Sequence, residues 1–438
     1  MSRIALIGEN SVSYINQLIK IWNRGHCAVL IDWRIPFKTA IEMMKETAVL
    51  ECHIDRNIRD KIDLFPEDKI KYVTFDNKNS VEILPEDMYS QFHANYSRNE
   101  AVIIYSSGTT GKAKGIVLSH YAINTNADSI IDYMVPQKND CIYIIKSLSH
   151  SSTLIGELLI SLKTHTKLVI SPTVISSHSV LTNIKKYRVT ILCINPTLLS
   201  IYAKDHKNHN YDLSTLKKIY VSGSPLSNNI YKFARNTFKG IMINNVYGLS
   251  EAGPRITAQN GETHNNSVGK PIKGVNVIIV DNGGNPVKPN VCGIVHVKTP
   301  SKFDRYISCN CGPPLLYGDW LNTYDRGYFD ENGELYIVGR VDNCFMYQSH
   351  KIYPEDIEKA LLSLGVFEEC LVVGNDLLIE CYYTTVDQRE LKHNDFIKIR
   401  SLLTNMLAPF EIPRKFTYLN QFKKTNTGKI IRKEYNYD

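Results

Sequence analysis

The chain has 438 residues, 43% of them hydrophobic and 22% charged, a globular composition long enough for two or three domains. No apolar run approaches the ~20 residues of a membrane span, and the opening MSRIALIGENS lacks a signal peptide's longer apolar core and cleavage site, so a cytoplasmic location is expected. The net charge of +7 comes from 51 basic residues spread along the chain, which suits small anionic ligands and offers no clustered face for nucleic acid.

RIALIGENSVSYINQLIKIWNRGHCAVLID predicts strand, helix and strand. Ile15, Leu18, Ile19 and Trp22 recur at helical spacing, and Gly25 closes the helix. Residues 101–105 read as a buried strand and 116–118 as another short one, with Ser119 as the N-cap of a helix carrying Ile123, Ala127, Ile130 and Met134 on one face. KLVIS, a helix over 180–187, VTILCIN and KKIYVSGSPLS continue the alternation. This pattern signals parallel α/β sheets, whose ligands gather outside the strand ends. From about Val268 the strands shorten and turns multiply, which predicts antiparallel β structure with a small barrel-like part. GYFDENGELYIVGR reads as a hairpin turning at 330–333. YPEDIEKALLSLG predicts a helix with Pro354 at its first position and Gly365 past its end. ECLVVG and LLIECYYTT add strands to a last α+β unit.

The ten Cys are scattered; Cys309 and Cys311 form a lone C-x-C with no second pair at zinc spacing. The stretch IIYSSGTTGKAKG, residues 103–115, is different in kind. It joins free backbone N–H groups, hydroxyls and two ammonium groups, the donor set of a phosphate cradle. It is not a Walker A loop, because only two residues separate Gly108 from Gly111 and Ala113 follows Lys112.

Four more stretches stand in order behind it: NVYGLSEAG at 245–253, TYDRGYFDENGELYIVGRVDN at 323–343, YPEDIE at 353–358 and KKTNTGKIIRKE at 423–434. Together they resemble the adenylate-forming superfamily of acyl- and aryl-CoA synthetases, peptide-synthetase adenylation domains and luciferases. The resemblance spans nearly the whole chain, with a shorter amino-terminal region than is usual. It implies a large domain over 1–339 of stacked α/β sheets, a hinge at 340–343 around Asp342, and a small mobile α+β domain over 344–438. It also implies a reaction: a carboxylate attacks the α-phosphate of ATP, pyrophosphate leaves, and a thiol then displaces AMP.

Site roles follow from the same resemblance. Ser106, Ser107, Gly108, Thr109, Thr110, Gly111 and Lys114 belong to the phosphate loop, with Ala113 where Pro is usual. Tyr247 stacks on adenine, with Asn245, Gly248 and Ser224 alongside. Ser250 contacts the α-phosphate and Glu251 holds Mg²⁺, a hard cation that prefers oxygen. Asp325 and Arg340 reach the ribose, although Tyr324 replaces the usual Gly before Asp325. Lys429 is the catalytic lysine of the small domain and stabilises charge in the transition state.

The resemblance also implies that His150, Ser151, Ser222, Gly223, Ser224 and Leu249 line the acid pocket. Ser151 stands where amino-acid-activating relatives carry Asp, so an aryl or short to medium acyl acid is expected rather than an α-amino acid. The acceptor is CoA or the phosphopantetheine of an acyl carrier protein. MYQSHKIYP has Gln348 and Ser349 where thioester-forming relatives often carry Gly, so adenylation is better supported than CoA transfer. The second reading is a non-catalytic relative that binds a nucleotide or acyl ligand.

Overall fold

The computed structural model describes residues 2–60, 70–106, 114–173, 175–261, 267–307, 316–348, 350–375, 377–425 and 429–435. The predicted alternation is present from the start. Ser11 caps the helix Val12–Asn23 by accepting from the Tyr14 N–H at 3.0 Å, and Gly25 past its end has φ +73°. The strands Arg3–Ile7 and Cys27–Ile31 flank this helix in sequence and pair in parallel. Cys27–Ile31 is buried along its whole length because both faces are covered.

Two sheets form the bulk of the molecule. The first runs, edge to edge, through Arg305–Ile307, Lys114–Ser119, Glu100–Ser106, Cys27–Ile31, Arg3–Ile7, Glu51–Asp55 and Lys71–Phe75. The second runs through Lys270–Pro271, Thr257–Ala258, Met242–Tyr247, Lys218–Val221, Ile191–Ile194, Cys141–Ile144, Lys167–Ile170 and Glu82–Ile83. Leu6, Leu30, Ile104, Ile142, Ile170 and Leu154 share one hydrophobic cluster with the helix His120–Met134, so a single core lies between the sheets. Ser119 caps that helix as predicted.

The barrel-like part expected after Val268 is instead an open sheet. Asn276–Val280, Gly293–Lys298, Trp320–Phe329 and Leu316–Tyr317 follow one another, and Leu335–Arg340 also pairs with Trp320–Phe329. Five short strands do not close; Val295, Val297, Leu321 and Leu335 lay their face on the main core instead. The hairpin turn is where it was predicted, with Phe329 opposite Leu335.

Beyond Asn343 the chain builds a core of its own from Tyr347, Ile357, Leu361, Phe367, Val372, Cys381 and Leu403. The helix Pro354–Ser363 packs on the antiparallel strands Phe367–Gly374 and Ile379–Thr385, and Lys415–Tyr418 pairs in parallel with the latter. This unit touches the rest of the chain through Arg326–Asp356 (3.1 Å), Asn229 Nδ2 to the Leu362 carbonyl (2.9 Å) and Lys204–Glu368. No helix among the described residues is long and apolar enough to cross a membrane.

The last segment folds back as a two-stranded bridge, with Lys424 opposite Ile430 and the Ile431 N–H donating to the Lys423 carbonyl at 3.0 Å. Arg432 clamps it to the unit: its guanidinium donates to Glu358 at 2.7 Å and to the Val372 carbonyl. Removing one partner of a largely buried pair strands the other. Arg432→Met is therefore expected to destabilise this unit by about 2–4 kcal/mol. Hydrogen exchange should quicken in Phe367–Gly374 and stay unchanged in Ile191–Ile194. Equal acceleration in both strands would contradict a local clamp.

Candidate active site

The motif residues converge where the strands of both sheets end. Strand Met242–Tyr247 delivers Tyr247, and a short 3₁₀ turn at Ser250–Ala252 follows. The chain must be bare at Gly248, since a Cβ there would lie 1.7 Å from the Pro254 carbonyl oxygen. Tyr247 donates its hydroxyl to Asp325, and Arg340 Nη1 meets the other oxygen of Asp325 at 3.3 Å. Arg340 also grips Asp342 at 2.8 and 2.9 Å. Burial pushes the Asp325 carboxyl above its ordinary pKa, with Arg340 and the Tyr247 hydroxyl working against it.

Tyr324 has φ +59°, a left-handed backbone that favours glycine. The turn holds because the Tyr324 N–H donates to Asn322 Oδ1 at 2.8 Å and the Asp325 N–H to Thr323 Oγ1 at 3.1 Å. Tyr in place of Gly thus preserves the carboxylate's position at some local strain. Gln348 likewise sits at φ +48°, in the two-residue connection between Phe345–Tyr347 and His350–Ile352.

Glu251 is tied from a distant part of the chain. Strand Arg305–Ile307 pairs with Lys114–Ser119, and Tyr306 donates to Glu251 Oε1 at 2.9 Å. Lys114 stands over the Tyr306 ring, 5.3 Å from its centroid. Glu251 Oε2 has no partner among the described residues. Among those residues no cluster of three His, Cys, Asp or Glu could hold a metal by itself. One carboxylate suits Mg²⁺, which is commonly held by one or two carboxylates together with substrate phosphates.

Ser250 Oγ and Ser151 Oγ are 2.7 Å apart, so the 245–253 motif touches the segment that follows His150. His150 precedes Ser151 at the start of that helical segment, and its Nε2 lies 3.9 Å from Asp32 Oδ2. Asp32 is held by Arg34 at 2.8 Å, which keeps its carboxyl below the usual range despite burial. Burial lowers the His150 pKa to about 4, against the pull of Asp32. Ser222 follows strand Lys218–Val221, with Gly223 at φ +98° and Ser224 partly buried beside it. Leu249 packs on the main core. Asn245 is buried behind Tyr247 and donates its Nδ2 to the Ser267 carbonyl at 3.0 Å.

Lys429 is exposed to solvent, and desolvation by the protein near it lowers its pKa. Asp325 and Glu251 raise it and Arg340 lowers it, and His150 in turn feels the Lys429 charge. The ammonium therefore stands within electrostatic reach of both halves of the site. Ser107, Gly108, Thr109, Thr110, Gly111 and the hinge-loop Ser349 lie outside the described residues, as does the side chain of Ser106. The sequence pattern did not single out Asp32, Arg34, Lys146, Glu157, Arg255 or Tyr306. Lone charges inside apolar runs, as in YIIKSLS and LIGELLIS, were the available signal.

Comparison with known proteins shows the family of the chain. The family described as "AMP-binding enzyme" matches residues 1–307. The indoleacetate–CoA ligase of Aromatoleum aromaticum is 23% identical, the alignment covering 98% of this chain and 86% of that one. The fatty acid–[acyl-carrier-protein] ligase ScoC of Streptomyces coeruleorubidus is 22% identical over 99% of this chain and 86% of its own. The crystal structure of the anthranilate CoA ligase AuaEII in complex with anthranoyl-AMP superposes with a TM-score of 0.83, at 19% identity, covering 99% of this chain and 86% of that one. The chain belongs to the AMP-binding, adenylate-forming enzyme family.

Proposed function

We propose that the protein activates a small carboxylic acid with ATP and then passes the acyl group to a thiol. In the first step a carboxylate oxygen attacks the α-phosphorus, the bond to the β-phosphate breaks, and pyrophosphate leaves. In the second a thiolate attacks the acyl carbonyl, the bond to the phosphate oxygen breaks, and AMP leaves. The observation that supports this reading is that the charge of Lys429 is felt by, or feels, Asp325, Arg340 and Glu251 together with His150.

Each side chain has a task that its setting supports. Tyr247 packs against the adenine while its hydroxyl braces Asp325, which accepts from the ribose hydroxyls. Arg340 balances Asp325 and reaches toward the phosphates. Ser250 donates to the α-phosphate and is oriented by Ser151. Lys114 and the loop before it receive the β- and γ-phosphates. Glu251, set by Tyr306, would hold Mg²⁺ with those phosphates, and the ion would neutralise charge on the leaving pyrophosphate. Lys429 meets the charge that develops between carboxylate and α-phosphate.

The acceptor is CoA or a carrier-bound phosphopantetheine, approaching past Gln348 as the unit of residues 344–438 turns about Asp342. The relatives include both CoA and carrier-protein ligases by name. His150 followed by Ser151 offers no carboxylate partner for an α-ammonium group. A reaction that uses ATP fits a cytoplasmic location.

Lys429→Ala is expected to lower carboxylate-dependent ATP–pyrophosphate exchange by about 10²–10³-fold while ATP binding persists. Unchanged exchange in the variant would remove Lys429 from the chemistry. His150 makes a separate pH signature. Its folded pKa is about 4, against an unfolded value of about 6.5. Between these the unfolded chain holds more protons, so stability falls as pH drops through the window and is flat above it. His150→Gln should recover on the order of 1 kcal/mol of urea stability at pH 5 relative to pH 7, discounted for partial exposure. An equal loss in both proteins would show that His150 is not the group responsible.

A further inference from the structure

Below His150 the acid side of the cleft becomes charged. The helical segment that begins at Ser151 widens into a π-helix over Leu154–Leu159, a feature that gathers at functional sites. Glu157 on this turn is fully buried and pairs with Lys146 Nζ at 3.1 Å. Arg255, just after the SEAGP motif, is 3% exposed. Its guanidinium lies against the same helix: a Cβ on Gly156 would be 3.2 Å from Arg255 Nη2.

Arg255 makes no ion pair among the described residues, and its Nε has no hydrogen-bond partner. The Tyr133 hydroxyl and Thr153 Oγ1 are also buried without hydrogen bonds, while Glu157 has the Lys146 ammonium as its ion-pair partner. These groups are neighbours: Tyr133 and Glu157 both feel Arg255, and Thr153 sits beside Glu157. Buried polar atoms are nearly always satisfied, so such a concentration marks a place where a ligand completes the network. The sign of the charge is readable too. Two cations, Lys146 and Arg255, face one carboxylate, Glu157, whose own pKa is raised by burial. Asp32 does not redress the balance because Arg34 neutralises it. Gly156 lies six residues along the helix from His150, roughly 9 Å at ~1.5 Å per residue.

We infer that the acid carries a second anionic group at its far end, a dicarboxylate with a short chain or one ring between its carboxyl groups, and that Arg255 is the residue that selects it. This rests on the acid-activation reading above. Arg suits the task because its fork donates to a carboxylate bidentately. One carboxylate of the substrate is activated beside Lys429, and the other settles on Arg255 and restores the local charge balance.

The test is ATP–pyrophosphate exchange by the full chain with succinate, glutarate, adipate and the three benzenedicarboxylates, each beside its monomethyl ester. At least one diacid is expected to exceed its monoester by about tenfold or more. Arg255→Met should bring that pair within about twofold, while Arg255→Lys keeps part of the preference. If Arg255→Met does not fold, the wild-type pairs alone decide. Exchange confined to acids with an uncharged far end, or a diacid preference that survives in Arg255→Met, would overturn the inference and leave acid activation standing. No exchange with any acid of either kind, while ATP still binds, would overturn acid activation and the inference with it.

Discussion

The ammonium of Lys429 stands within electrostatic reach of several fixed charges. Asp325 and Glu251 attract it, Arg340 repels it, and desolvation disfavours its charged form. A cation held under those terms is most useful when an anion arrives between it and its neighbours, which is what a triphosphate and a carboxylate supply together. The rest of the molecule can be understood as the apparatus that brings it there. The Lys424–Ile430 bridge projects it, Arg432 and Glu358 pin that bridge to the small unit, and Arg326–Asp356 sets the unit against the open sheet.

Two chains of polar contacts run through the motif residues. One runs from Tyr247 through Asp325 and Arg340 to Asp342, linking strand Met242–Tyr247 to the junction between the units. The other runs from Lys114 over the Tyr306 ring to Glu251, linking strand Lys114–Ser119 to the turn at Ser250–Ala252. The Ser151–Ser250 contact joins that turn to the segment after His150 over 2.7 Å. Strain is accepted at Tyr324, where a left-handed backbone is kept so that Asp325 points correctly. Such strain persists when the surroundings over-determine the conformation, as the two local hydrogen bonds do here.

Much of this was legible from short-range pattern. Tyr247, Ser250, Glu251, Asp325 and Lys429 stood out because their motifs resemble those of a known family, and the helices capped by Ser11 and Ser119 are where apolar spacing put them. What escaped depends on contacts distant in sequence. Tyr306 matters only because its strand pairs with the strand that follows the phosphate loop. Arg255, Glu157 and Lys146 acquire meaning only once a helix and two strand ends meet. The open sheet after Val268 was misread because period-two alternation predicts strands but not whether they close.

The most direct measurement follows the oxygen atoms. The acid that supports exchange, labelled with ¹⁸O in its carboxylate, is incubated with ATP, the protein and a thiol acceptor, and the products are weighed by mass spectrometry. Attack of the carboxylate on the α-phosphorus places one labelled oxygen in AMP, with unlabelled pyrophosphate. Unlabelled AMP, or label appearing in inorganic phosphate with ADP as the nucleotide product, would contradict the account.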